Sequence, residues 1–232
     1  IVKGDELEVF SKIKKKDKEK KIKESAKSTI SNAIKTTAVE TRFTATEIAN
    51  LGVSLGKLGA TSKEIPDLLR PIASAAQATG EDISSVGEAI LKTNNQFGIS
   101  SRDTVVTAAV FAEAINGSAL SLSSLTTALQ YVGPLASQAG LTFADTSGYM
   151  KVLADNGFAA SKIGTGLRSV FINLKESGKP LIETLKELSA QNISLAKAIE
   201  LTDVRAAGQL LTLLENIDVI EKSIDITYAL TK

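Results

Sequence analysis

The side chains that usually carry nucleophilic or metal chemistry are missing from this chain. It has no His, no Cys and no Trp, with only seven Phe and three Tyr among 232 residues. Ser-His-Asp and Cys-His catalysis are thereby excluded, as are zinc sites built on His or Cys, haem with those axial ligands, and iron–sulfur clusters. Carboxylate, lysine, arginine and hydroxyl chemistry remain. Any two of the 26 acids could meet in space as the paired carboxylates of glycoside hydrolysis, but no spacing nominates a pair and few aromatics can stack on a sugar. Gly56-Lys57 and Gly178-Lys179 lack the upstream spacing and the following hydroxyl of a phosphate-binding loop. Gly164-Thr165-Gly166 lacks the third glycine and the preceding strand of a dinucleotide fold. Asp155-Asn156-Gly157 lacks the other ligands of a calcium loop. Asn116-Gly117-Ser118 and Asn192-Ile193-Ser194 match the glycosylation sequon, a pattern frequent by chance. The expectation is a chain that is not an enzyme, with no catalytic, cofactor-binding or metal-binding residue and no small-molecule substrate.

Charge is unevenly placed along the chain. Residues 1–35 hold eleven Lys and six acids, a balance of +5, whereas the remainder carries −4, for an overall +1. A body of that sign is a poor phosphate-binding surface. The run Lys14-Lys15-Lys16-Asp17-Lys18-Glu19-Lys20-Lys21 could touch phosphates or anionic lipid, but its interleaved acids favour a solvated helix. From Ala114 to Ala144 there is no charged residue at all. About half of that stretch is Ser, Thr, Gly, Asn, Gln or Pro, which reads as helices buried in a core or an oligomer interface rather than in lipid. No run of 18 apolar residues marks a membrane span. The chain opens on Ile1 and closes inside a helical pattern, which reads as a piece of a longer protein.

Helices must position whatever these residues do. Gly59, Gly80, Gly98, Gly117, Gly140, Gly157 and Gly178 recur at intervals that leave room for one helix between each pair, and glycine suits the left-handed residue past a helix end. Three copies of Gly-x-Ser/Thr-x-x-Asp/Glu, at Gly59–Glu64, Gly98–Asp103 and Gly140–Asp145, carry the elements of an N-terminal capping box, as does Thr44–Glu47. Ile163, Leu167, Val170, Phe171 and Leu174 form one apolar stripe at helical spacing, and Leu125, Leu129, Val132 and Ala136 form another. Strand signals are almost absent. The fold class expected is all-α, a helical bundle or array of antiparallel helix pairs, with roughly 65–80% helix. A long charged, Lys-rich helix or linker within residues 1–40, with a helix of roughly 30–35 residues or about 50 Å at 1.5 Å per residue, would precede a globular helical domain over 41–232.

One stretch is more specific. Tyr131-Val-Gly133-Pro134-Leu-Ala136 leads through Gly140 to Asp145, followed by Val152-Leu-Ala154-Asp-Asn-Gly157 and Lys162-Ile-Gly164-Thr165-Gly166-Leu167-Arg168. This resembles the core region of phage tail tape-measure proteins, and the likeness extends over roughly residues 40–230, including Thr44–Gly59 and the Phe97-Gly98 turn. Gly166 and Ile163 stand where that family commonly has Ala, and Glu113-Ala114 replaces a usual Leu-Ala. Read from the residues alone, Ala160, Gly164 and Arg168 share one helical ridge. Small residues four apart let a neighbouring helix come close. Arg168 has two readings, a partner to a carboxylate or helix end, or a solvent-facing side chain.

The resemblance implies a structural part of a phage or prophage tail. Such a protein lies in the tail-tube lumen, sets tail length, and leaves before the DNA. Its partners would be copies of itself, tail-tube and tail-tip proteins, and the host membrane during ejection. It would be found in the virion tail and, during assembly, in the bacterial cytoplasm. The alternative, drawn from the charge-free stretch, is a helical membrane-perturbing or channel-forming module.

Overall fold

A computed structural model describes the backbone of residues 4–174 and 179–230, and side chains over 20–174, 179–226 and at 229. The chain is all-α: 79% is helical, with twelve α-helices and no strand among the described residues. They are α1 (Gly4–Glu40), α2 (Ala45–Lys57), α3 (Ile65–Thr79), α4 (Ile83–Phe97), α5 (Thr104–Asn116), α6 (Leu122–Gln138), α7 (Phe143–Asp155), α8 (Ala160–Leu174), α9 (Leu181–Ala190), α10 (Leu195–Leu201), α11 (Ala207–Glu215) and α12 (Ile217–Leu230).

The first helix is 37 residues long, a little beyond the sequence expectation, or about 55 Å. Side chains from Lys20 to Ser25 are exposed. Burial starts only where Ala26, Ile30, Ala33, Ile34, Thr37 and Ala38 form a face, and that face packs on α2 and α3. From Lys20 to Ser25 the one apolar side chain is Ile22, and it is exposed.

The centre of the molecule is α7. All nine residues from Thr146 to Ala154 are buried, because α5, α6, α8, α11 and α12 pack around it. A helix enclosed on every side needs no amphipathic pattern, so its sequence mixes Gly148, Lys151 and hydroxyls with Tyr149, Met150 and Leu153. Phe143 at its start packs its ring 5.1 Å from Phe111 and 5.7 Å from Phe97. Tyr149 meets Phe171 of α8 edge-on at 5.9 Å, a preferred aromatic geometry. One buried polar knot joins α4 to α5: Asn94 donates to Thr104 Oγ1 at 2.8 Å and accepts from Thr107 at 2.6 Å.

The charge-free stretch from Ala114 to Ala144 lies largely in this core. Ala114, Leu120, Leu122, Leu125, Ala128, Leu129, Val132, Ala136, Phe143 and Ala144 are all buried, with Tyr131 the exposed large exception. No helix among the described residues is long and apolar enough to cross a membrane.

The helix ends follow the punctuation in part. Gly59, Gly80, Gly98, Gly140 and Gly157 have φ between 66° and 102°. Gly117 ends α5 at φ −103°, with its N–H on the Glu113 carbonyl. Gly178 lies outside the described residues. Thr44/Glu47 and Thr142/Asp145 close full capping boxes. Thr61/Glu64 and Ser100/Asp103 instead tie turns that precede their helices: Glu64 accepts from Thr61 N at 2.8 Å, and Ser100 donates to Asp103 at 2.7 Å. Caps the sequence reading did not single out occur at Asp82, Ser121 and Ser194.

Candidate packing site on α6 and α8

The glycine-rich motif residues sit on two adjacent helices, and their surroundings explain why small residues stand there. On α8, Ile163, Leu167, Val170, Phe171 and Leu174 turn inward as one buried stripe. Gly164 lies beside that stripe against α6. A Cβ at this position would stand 2.6 Å from the Ala128 carbonyl oxygen and 2.8 Å from Tyr131 Cβ. Backbone cannot step aside, so glycine is what permits the approach.

Gly133 of α6 and Gly166 of α8 face glutamines. The Gln96 amide, from α4, fills the space where residue 133 would carry a Cβ, and its Nε2 donates to the Leu129 carbonyl at 3.3 Å. The Gln209 amide, from α11, does the same over Gly166, with Nε2 donating to the Lys162 carbonyl at 2.8 Å. Each glutamine thus bonds the carbonyl four residues before the glycine it covers. Gln209 is 2% exposed, and its Oε1 has no hydrogen-bond partner among the described residues. The seam therefore runs from α4 through α6 and α8 to α11.

The other motif positions divide by burial. Ala136 and Leu167 are core residues. Gly140 and Gly157 make the left-handed turns after α6 and α7. Pro134 lies inside α6 on its exposed side, where water can satisfy the Gln130 carbonyl left without its helical donor. Thr165 is exposed and donates to the Ser161 carbonyl at 2.8 Å. Arg168 is exposed and makes no ion pair among the described residues, the solvent-facing reading. Next to it Ser169 donates to Asp203 Oδ2 at 2.6 Å, tying α8 to the turn before α11. That bond, with backbone donors from Arg205 and Ala206, holds the Asp203 carboxyl below its ordinary range.

Two close approaches escaped the sequence reading. A Cβ on Gly148 of α7 would stand 2.9 Å from Ile224 of α12, and one on Gly87 of α4 would stand 2.6 Å from Leu51 of α2. One ion pair did as well. Lys151, in the middle of the central helix, reaches Glu113 of α5, with side chains only 8% and 13% exposed. The Glu113 Oε2 has no hydrogen-bond partner among the described residues. The spacing rules that flag surface pairs within one helix cannot see a pair 38 residues apart.

Among the described residues no group of three or more carboxylates is placed to hold a metal ion. The glycines at 133, 164 and 166 set distances between helices. They define a helical packing module, in which Gly133, Gly164 and Gly166 are small where a neighbour needs space, Ala136 and Leu167 fill the core, and Pro134, Thr165 and Arg168 face solvent. The profile of the phage-related minor tail protein family matches residues 24–227, and the chain belongs to that family. It is also similar to the tape measure protein of Pneumococcus phage Dp-1, 28% identical over 159 residues, which is 67% of this chain and 14% of that protein. The chain therefore spans only a small part of the length of that relative. No solved structure matches it.

Proposed function

We propose that this chain is the globular core segment of a tail tape-measure protein, a non-enzymatic part that sits in the tail-tube lumen, takes part in assembly and leaves before the DNA. The observation that carries the reading is the seam on α6 and α8. Its glycines are the motif that resembles tape-measure proteins, and each of them is closely met by a neighbouring helix or side chain. Its partners in this reading are tail-tube and tail-tip proteins. Residues 41–232 act as one folded unit on the end of α1, with α1 as the part that adds length.

A ruler adds length through its extended portion. One hundred and ninety-two residues as a single helix would span about 290 Å, whereas a domain of that size has a radius of gyration near 16 Å. The test is to duplicate residues 41–232 in frame in the phage or prophage that encodes them, and to measure tails by electron microscopy. Growth of under about 50 Å is expected. Growth near 290 Å would mean that the segment is drawn out in the tail and would overturn the domain reading. Dye release from lipid vesicles at micromolar protein would favour the membrane-perturbing alternative, and cell-wall digestion abolished by changing one carboxylate would favour an enzyme.

A further inference from the structure

We infer that α9 and α10, from Leu181 to Leu201, form a strap that lifts off α11 while the rest of the domain stays folded. Only Thr184, Leu185 and Ala198 are buried between those two ends. The preceding α8 buries seven of its fifteen residues, and α7 eleven of its thirteen. A segment with so few buried contacts opens at a lower free-energy cost than the core it rests on. The proposal does not rest on the tail reading, since it concerns the chain alone in solution.

The anchors of the strap among the described residues are few. Leu185 is its one large side chain that is fully buried. Leu181, Ile182, Leu188, Ile193, Ile199 and Leu201 touch the core but stay half-buried. Leu181 and Ile182 line a cleft of about 620 Å³ with Phe171, Leu174 and Ile224, where a close-packed interior would leave no such room. Ser189 donates to the Leu214 carbonyl at 2.9 Å, and Lys186 pairs with Glu221. The side chains of that pair are 48% and 39% exposed, and exposed pairs contribute little. The Lys179–Glu187 and Lys197–Glu200 pairs join residues at the strap's own start and within it, so neither ties it to α11. Asn192, in the turn between α9 and α10, is the one non-glycine with positive φ among the described residues, at 46°. L-residues adopt that conformation at a cost, which opening relieves.

The helix beneath is held without the strap. Besides α9 and α10, α11 packs on α7, α8 and α12. Gln209 pins it to α8 through the Lys162 carbonyl. Just past the strap, the Asp203 carboxylate takes the Ser169 hydroxyl at 2.6 Å and the backbone donors of Arg205 and Ala206. Opening therefore stops at Asp203, and α11 keeps its place. The strap is a cover on a helix whose Leu210, Leu213 and Leu214 are buried in the closed form.

The test is amide hydrogen exchange of the full 232-residue chain, under conditions where reclosing outruns exchange, for the wild type and for Ile90→Val. Ile90 is fully buried in α4, which packs on α2, α3, α5 and α6. Amides of 185–190 and 198–201 should be protected at least about 100-fold less than those of α7. Ile90→Val removes one buried methylene and should lower the protection of α7 and of 211–215 by about three- to tenfold. It should leave the strap unchanged, because opening the strap does not disturb α4. Limited digestion with trypsin is the second readout. Lys186, in α9, should be cut before Lys92 of α4 and Lys162 of α8, and equally fast in both proteins, since cleavage follows the population of the open form. A strap as protected as α7, a strap whose protection falls in step with α7 in Ile90→Val, an α11 that exchanges together with the strap, or cleavage at Lys92 ahead of Lys186 would each overturn the proposal.

Discussion

The Gln209 amide lies over Gly166, in the volume that a side chain at 166 would need, and donates to the Lys162 carbonyl at 2.8 Å. The tape-measure resemblance has Ala commonly at this position, and Gln209 bears on the departure: an alanine methyl would meet this amide where it now lies, so the glutamine would have to shift. Gln96 repeats the arrangement over Gly133.

Gly166→Ala alone should therefore destabilise the fold by about 1–3 kcal/mol, the usual range for overpacking. Gln209→Ala alone should also cost stability, by losing a buried bond and leaving a cavity. The double variant should be closer to wild type than the sum of the two. Urea midpoints for the four proteins measure that coupling, and strict additivity would mean that the two side chains do not compete for the same space.

Gly164→Leu should be much worse than Ser161→Leu. The first forces a side chain into the Ala128 carbonyl, while the second places it in solvent. A loss of about 1–3 kcal/mol is expected for the first and under about 0.5 kcal/mol for the second. Equal urea midpoints would remove the close α6–α8 contact from the account.

Breaking the Glu113–Lys151 pair from one side should cost about 3–5 kcal/mol, because the surviving charge stays enclosed beside α7. Replacing both with apolar residues, Glu113→Leu with Lys151→Met, should restore most of it. Thermal unfolding of the three variants decides the point, and single variants as stable as the wild type would show that water reaches the pair.

Acid should weaken the fold through its helix starts. Thr44 N–H holds Glu47 below its ordinary value of 4.5, Thr61 N–H does so for Glu64, and Ser85 N–H holds Asp82 below 3.8. Groups depressed in the folded state stabilise it above their unfolded values and stop doing so as pH falls through the folded ones. Melting temperature should be level above about pH 5 and fall below about 4.5. A variant carrying Glu47→Gln, Glu64→Gln and Asp82→Asn should melt lower at neutral pH with a shallower acid slope. An unchanged slope would place the acid sensitivity elsewhere.

Much of the helical plan was legible because it is written locally. The stripe from Ile163 to Leu174 and the stop at Gly140 need only neighbouring residues to be recognised. The partners of the glycines were not legible, since Gln96 bonds across 33 residues and Gln209 across 47. Sequence spacing showed that small residues at 160 and 164 would let a helix come close, and not what would fill the room left at 133 and 166. The central position of α7 was hidden for a related reason: full enclosure erases the polar face from which amphipathic helices are recognised. Ser100 and Asp103 mark the limit of motif reading, since the same letters that cap α7 from Thr142 make a turn before α5.

The length of α1 also has an angular meaning. Among the described residues its grip on the body is the face from Ala26 to Ala38 and the Glu40–Arg70 ion pair, so the turns before that face are aimed by the helical screw. One residue inserted between Lys23 and Ala26 would turn the far end by about 100° and advance it by about 1.5 Å. Seven inserted residues would return it to within about 20° of its starting azimuth, some 10 Å further out. The helix is thus a keyed shaft: lengthening it in steps of seven preserves the bearing of its far end, while other steps reset where that end points.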